Sequence, residues 1–342
     1  MKKKRYSLKD IANSLNVSAT TVSFVLSGKG KEKGISDGLI QKITDFAKKI
    51  DYKPNQVARS LRTGKSKIIV CMVEDISNVF FAKIARLIED IAYEKGYKVL
   101  FCSNENKDEK AKELISLFSD RQVDGYIITP TIGIRDTIKS LMDEEVPVVL
   151  FDRYFPDLET NYVVVNNQDS AYNATIHLIN NQFKNIALVT TDVEQTSISQ
   201  RIKGYKEAIN EYGYNQCVLS VSYEEKSPEN KKKIIRNFFL ENPQLDAVLF
   251  ATNHLTQAGL EVFKKDFPDR MKKLGILTFD DNVFFKIHTP SISAVSQPLK
   301  QMAEELMNIV LNSMKKPSRS IPLRQVVFLT ELKIRDSSFV VD

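Results

Sequence analysis

Apolar residues near the start of the chain recur at helical spacing. Leu8, Ile11, Ala12 and Leu15 form one face of a short helix, which Ser7 can cap together with Asp10 three residues on. Asn16-Val17 then makes a tight turn. Ser18 caps a second helix by accepting a backbone N–H; Val22, Val25 and Leu26 face inward, while Ala19, Thr20, Ser23 and Phe24 face out. Ser36 caps a third, in which Leu39, Ile43, Phe46, Ala47 and Ile50 repeat at the same period and close a three-helix core. Two short helices joined by a tight turn predict a helix-turn-helix, whose second helix enters the DNA major groove. A pair of amphipathic helices in an ordinary bundle has the same pattern.

Beyond residue 66 short apolar runs alternate with amphipathic segments. Residues 68–73, 99–102, 125–128, 146–151, 186–189, 218–221, 247–250 and 276–279 read as strands buried on both faces, with helices at 80–95, 109–120, 170–180 and 200–212. This alternation predicts an α/β fold, and there are too many units for one sheet. The expected architecture is two doubly wound parallel-sheet subdomains, with strand-end loops around a small ligand in the cleft between them.

Charge divides the chain at the same place. The net charge is +6, yet residues 1–65 hold 15 Lys and Arg against 5 Asp and Glu, and the other 277 hold 34 against 38. The basic end is the polyanion-binding end; a solvated tail accounts for residues 2–5 but not for basic residues running on to Lys65. Cys71, Cys102 and Cys217 lie in apolar surroundings without metal-site spacing, so they are expected to be buried free thiols. No apolar stretch approaches the roughly 18 residues of a membrane span, and no signal-peptide core follows the basic start. The expected location is the cytoplasm.

Residues 27–34, Ser-Gly-Lys-Gly-Lys-Glu-Lys-Gly, lack the preceding strand and the Gly-Lys-Ser/Thr ending of a nucleotide-binding loop. They read as a flexible basic turn touching DNA phosphates. Pro54 suits the first turn of a helix over 55–61, only about two turns and too short to stand alone in water. At this point Lys9-Asp10-Ile11-Ala12, Val17-Ser18, Thr21-Val22-Ser23, Tyr52-Lys-Pro-Asn55 and Ala58-Arg-Ser-Leu61 are all on view. In order and approximate spacing they resemble the DNA-binding headpiece and hinge of the lactose/galactose-repressor (LacI/GalR) family of bacterial transcription regulators.

The resemblance implies a headpiece at 1–53, a hinge helix and linker at 54–66, and an effector-binding, dimerising core at 67–342. Ala19, Thr20 and Ser23 match positions that face base edges; Ser7, Ser18, Thr21, Asn55 and Ala58 belong to the same DNA-contacting set. Leu61 matches an apolar wedge that kinks the operator from the minor groove, although a packed leucine is the alternative. Phe24 stands where better-known members carry a base-reading arginine, and phenylalanine cannot make that bidentate contact, which leaves the operator sequence open. The Gly-Lys turn is also longer than in those members.

The remainder resembles the family's periplasmic-binding-protein-like effector domain, as far as Leu332-Lys-Ile-Arg335-Asp-Ser337, and the resemblance implies three chain crossings between subdomains. By local motif, Asp152, Arg201, Asn253, Asp280 and Gln297 match effector contacts, with Phe80 and Tyr223 as aromatic candidates and Phe81 as core. A salt bridge or helix cap is the alternative for Asp152, Arg201 and Asp280. Val79, Asn166, His254 and Thr278 depart from the usual Pro, Asp, Asp and Gly. His254 is expected to be a satisfied surface histidine, and His177 to pack within its helix.

Three scattered histidines, with no GxSxG, HExxH or metal-spaced cysteines, leave no catalytic set, so no enzyme, cofactor or metal is expected. The leading reading is a homodimeric regulator, more often a repressor in this family. It binds a double-stranded, pseudo-palindromic operator and answers to a small polar effector, a sugar or sugar derivative by default, with no membrane partner. The alternatives are a solute-binding receptor without a DNA role and a regulator controlled by a protein partner.

Overall fold

The computed structural model describes residues 6–53, 64–315 and 322–340. The chain forms two compact units, Met1–Ser66 and Lys67–Asp342.

In the first unit, α1 (Leu8–Leu15) begins with a reciprocal cap: Ser7 N donates to Asp10 Oδ2 at 2.7 Å, and Asp10 N donates to Ser7 Oγ at 3.2 Å. Asn16 takes the left-handed conformation, φ 53°, and reverses the chain. Ser18 Oγ accepts from Thr21 N at 3.0 Å to start α2 (Ala19–Leu26). The third helix, α3 (Asp37–Lys49), has Ser36 at its cap position but no side-chain cap bond, contrary to expectation; the Ser36 carbonyl accepts from Leu39 N and Ile40 N instead. Ile11, Ala12, Val22, Val25 and Ile43 form the buried core. The turn read at 27–34 carries backbone hydrogen bonds of its own. Lys29 N donates to Phe24 O, Ile35 N to Gly30 O, and a Cβ on buried Gly30 would lie 2.8 Å from Ile40 Cδ1.

The second unit begins with β1 (Ile68–Val73), α4 (Val79–Glu94), β2 (Lys98–Ser103), α5 (Asp108–Ser119), β3 (Gly125–Ile128), α6 (Arg135–Asp143), β4 (Val148–Phe151) and β5 (Tyr162–Val165). There follow α7 (Asn167–Asn180), β6 (Ile186–Thr191), α8 (Thr196–Glu211), β7 (Cys217–Val221), α9 (Pro228–Glu241), β8 (Ala247–Phe250) and α10 (Asn253–Asp266). The chain continues through α11 (Pro268–Met271), β9 (Gly275–Phe279), α12 (Val283–Ile287), β10 (Ser293–Ser296), α13 (Leu299–Ser313), β11 (Gln325–Phe328) and β12 (Glu331–Lys333).

These strands make two six-stranded sheets, ordered β11-β5-β4-β3-β1-β2 and β12-β10-β9-β8-β6-β7. All pairings are parallel except β12 on β10. Period-two alternation fills both faces of the central strands. From β1, Ile69, Cys71 and Val73 pack with α4 and α13, while Val70 and Met72 pack with α5 and α6. In the second sheet, Ala187 and Val189 face α9 and α10, and Ile186 and Leu188 face α7 and α8. β2 and β7 are only partly buried, because each is the edge of its sheet. The three cysteines are free; Cys71 is buried, Cys102 and Cys217 half-buried.

The chain crosses between sheets three times: after β5, after β10, and between β11 and β12. Asn166 clips the first crossing to the third by accepting from Thr330 N at 3.0 Å through Oδ1. At the α7–α8 contact, Gly204 is required by space: a Cβ there would sit 2.0 Å from the Gln168 carbonyl oxygen.

Candidate effector cleft and nucleic-acid interface

On α2, Thr20 is exposed, and Thr21, Ser23 and Phe24 are half-buried at its surface. Ala19 departs from the outward reading by packing against the headpiece core. Ser7 and Ser18 are committed to caps, and Ser18 Oγ also lies 2.8 Å from Thr21 Oγ1. The hinge candidates Asn55, Ala58 and Leu61 lie outside the described residues.

In the second unit the carboxyl ends of both sheets face one cleft, where ligands of open α/β sheets bind. Phe80, Asp152, Arg201, Tyr223, Asn253 and Asp280 all line it, about 500 Å³ of empty space that is partly open to solvent. Asp152 follows β4 and Asp280 follows β9, each in the left-handed region with φ 69°, a conformation that aspartate tolerates better than most residues. Arg201, on the inner face of α8, is 4% exposed. Its Nε donates to Asn167 Oδ1 at 2.8 Å, one terminal nitrogen donates to Ala251 O at 2.7 Å, and its guanidinium lies 4.1 Å over the Phe279 ring. Phe80 both lines the cleft and packs in the core, its ring stacked 5.8 Å from Phe151, and Phe81 packs edge-on beside it.

Gln297 does not line this compartment. It borders an adjoining one with Val79, Lys83, Asp281, Asn282 and Lys286, and reaches the first through Asp280, whose Oδ1 accepts from Gln297 Nε2 at 2.7 Å. Gln297 Oε1, Asn282 Nδ2 and Asp281 Oδ1 are buried there without a hydrogen-bond partner.

Several lining residues were absent from the sequence-based set. Arg153 donates to Glu74, to Asp152 Oδ2 at 3.2 Å and to Asn106 Oδ1 at 3.2 Å. Gln195 also donates to Asn106. The motif Leu150-Phe-Asp-Arg153 contained the signal for Arg153, but Glu74 lies 79 positions away and nothing local marks it. The two subdomains touch directly across the cleft: Asn253 Nδ2 donates to Asn78 Oδ1 at 2.9 Å, and Tyr154 N to Thr196 Oγ1 at 3.3 Å.

Burial shapes the electrostatics. It pushes the Asp280 carboxyl above its usual range, against the pull of Arg201 and Gln297. Burial opposes the Arg153 charge, yet Glu74 and Asp152 more than offset this and hold it protonated. Tyr223 is likewise raised, by burial and by its bond to Glu74. His254 corrects the expectation of a surface histidine: it lines the cleft, and burial pulls it down to about 4 although Glu74 opposes this. His177 reaches beyond its helix to Ser338 Oγ at 2.8 Å.

Residues 69–283 match the family profile described as a periplasmic binding protein domain, and residues 7–55 match bacterial regulatory proteins of the lacI family. The sucrose operon repressor of Lactococcus lactis subsp. lactis is 32% identical over 311 residues, covering 89% of this chain and 92% of that protein. The chain belongs to the lacI family. This lacI-family protein is also 28% identical over 316 residues to the transcriptional regulator KdgR of Bacillus subtilis (strain 168), covering 91% of this chain and 93% of that one. The lac repressor dimer bound to operator and the anti-inducer ONPF shares its fold, with TM-score 0.84 and 17% identity over 98% of this chain and 100% of that one. So does the regulator CelR in complex with cellobiose, at TM-score 0.68 and 20% identity over 97% of this chain and 100% of that one. Like its relatives, the lacI-family chain is a DNA-binding transcriptional regulator and not an enzyme. Among the described residues no helix is long and apolar enough to cross a membrane.

Proposed function

We propose that the protein is a repressor that binds a pseudo-palindromic operator as a homodimer and answers to an uncharged, hydroxyl-rich effector, a sugar, in the core cleft. The observation that carries this reading is the convergence of Asp152 from one subdomain with Arg201, Asn253 and Asp280 from the other on a single cleft. Carboxylates accept from sugar hydroxyls, while the guanidinium and amide donate to them. The lining carries Glu74, Asp152 and Asp280 against Arg153 and Arg201, and Arg153 is already occupied by Glu74 and Asp152. That balance disfavours a phosphorylated or carboxylated ligand.

In this reading residues 1–53 are the headpiece, 54–66 the hinge and 67–342 the core. Ser7, Ser18, Thr20, Thr21, Ser23 and Phe24 form the major-groove and backbone contacts, without Ala19, which packs against the headpiece core, and Asn55, Ala58 and Leu61 form the hinge contacts. The homodimer is supported by exposed apolar side chains outside the cleft lining: Phe284 and Ile287 on α12 at 44 and 72%, and Ile76 ahead of α4 at 40%. An effector that replaces the cross-cleft pairs Asn253–Asn78 and Tyr154–Thr196 changes how the two subdomains meet. Within a dimer this alters the spacing of the two hinges.

Titration of neutral and phosphorylated sugars into the full-length protein, with operator affinity as readout, tests the proposal. A neutral sugar should change that affinity in the wild type and fail to do so in Arg201→Ala, whose effector-free affinity should match the wild type. An unchanged effector titration in the variant removes Arg201 from the site.

A further inference from the structure

The outer face of α2 carries no charge of its own. Its sequence is Ala-Thr-Thr-Val-Ser-Phe-Val-Leu, and Thr20, Ser23 and Phe24 are neighbours at three- and four-residue spacing. A recognition helix without a cation leaves the commonest specific base contact, ammonium or guanidinium to guanine, unmade. The structure brings a cation to this face from elsewhere. Lys33, exposed in the turn after α2, places its Nζ 5.7 Å from the centre of the Phe24 ring.

The turn is built to hold it there. Lys29 N donates to Phe24 O at 2.9 Å, Lys33 N to Lys29 O at 3.1 Å and Ile35 N to Gly30 O at 3.0 Å. Gly30 seats the turn against Ile40, and Gly34, with φ +69°, turns the chain immediately after the lysine. Of the other lysines in this turn, Lys31 points to Asp37 at 3.2 Å. Lys33, by contrast, has its ammonium beside Phe24 on the α2 face.

We propose that Lys33 is a specificity-determining residue of the headpiece: held beside Phe24, its ammonium donates to the O6 and N7 acceptors of a guanine in each operator half-site. This rests on α2 being the recognition helix. Phe24 then serves as an apolar platform that steers the lysine to the bases and away from the phosphates.

The test is selection of bound sequences from a random duplex library by full-length wild type, Lys33→Met and Phe24→Leu, followed by salt titration on the enriched duplex. The wild type should enrich a guanine at one position of each half-site. In Lys33→Met that single preference should fall about tenfold or more while the others persist, and Phe24→Leu should loosen the same position. Unaltered preferences in Lys33→Met would overturn the proposal. So would a uniform affinity loss with the salt slope shallower by about 0.9 per lost contact, the mark of a phosphate contact. A wild type without any sequence preference would instead remove the recognition-helix reading itself.

Discussion

Asp152 and Asp280 are counterparts across the cleft: each follows a strand-final phenylalanine, Phe151 or Phe279, and each has φ 69°. The shared conformation turns a carboxylate from each subdomain into the same space. Asparagine tolerates positive φ, so Asp152→Asn and Asp280→Asn change the chemistry without straining the turn. Each should weaken effector binding by about 1.5–3 kcal/mol, roughly tenfold or more, as expected for a charge-assisted hydrogen bond. Calorimetric titration against the sugar that binds the wild type measures this.

Asp280 has a second consequence. Burial raises its pKa, so the folded state holds its proton more tightly than the unfolded state, and stability falls as pH rises from the ordinary carboxylate range through the raised value. Asp280→Asn should therefore make the effector-free core more resistant to urea at pH 7 while making effector binding worse. A variant that loses both stability and affinity would contradict this account.

His254 shifts the opposite way. Its pKa is lowered from 6.5 to about 4, so its contribution is intact above pH 6.5 and is lost as pH falls toward 4. Between pH 7 and 5 the wild-type core should lose about 1–2 kcal/mol through this group. His254→Gln should flatten that dependence in urea unfolding at the two pH values.

Gly204 permits the α7–α8 contact that brings Arg201 onto Asn167. Because the obstacle to a side chain is the Gln168 backbone, it cannot rotate away. Gly204→Ala should cost about 1–3 kcal/mol even though alanine favours helix. It should also weaken effector binding by displacing Arg201, which thermal melting with and without effector would show.

Strong local patterns were legible in the sequence. The three headpiece helices, and β1, β3 and β8 to the residue, follow from apolar spacing, and the caps at Ser7 and Ser18 follow from residue type. β5, β10, β11 and β12 were not read: all four adjoin the crossings between sheets, outside the regular alternation of strand and helix, and β11 and β12 lack a fully buried position. Family resemblance by local motif, with the aromatic candidates, supplied six of the cleft's lining residues, but not the Glu74–Arg153 pair, which exists only once β1 and β4 share a sheet. His254 was misjudged because nothing in its local sequence marks it as part of the cleft lining, where Glu74 from the other subdomain acts on it.

The central claim is that occupancy of the cleft sets the affinity for DNA. It is tested most directly by the affinity of full-length protein for its own selected operator, measured by fluorescence anisotropy with and without saturating effector, for wild type and Asp280→Asn. A change of at least about fivefold is expected in the wild type, the low end of ordinary allosteric coupling, and a smaller one in the variant at an effector concentration that just fills the wild-type cleft. Equal wild-type affinities with and without an effector that demonstrably fills the cleft would contradict it.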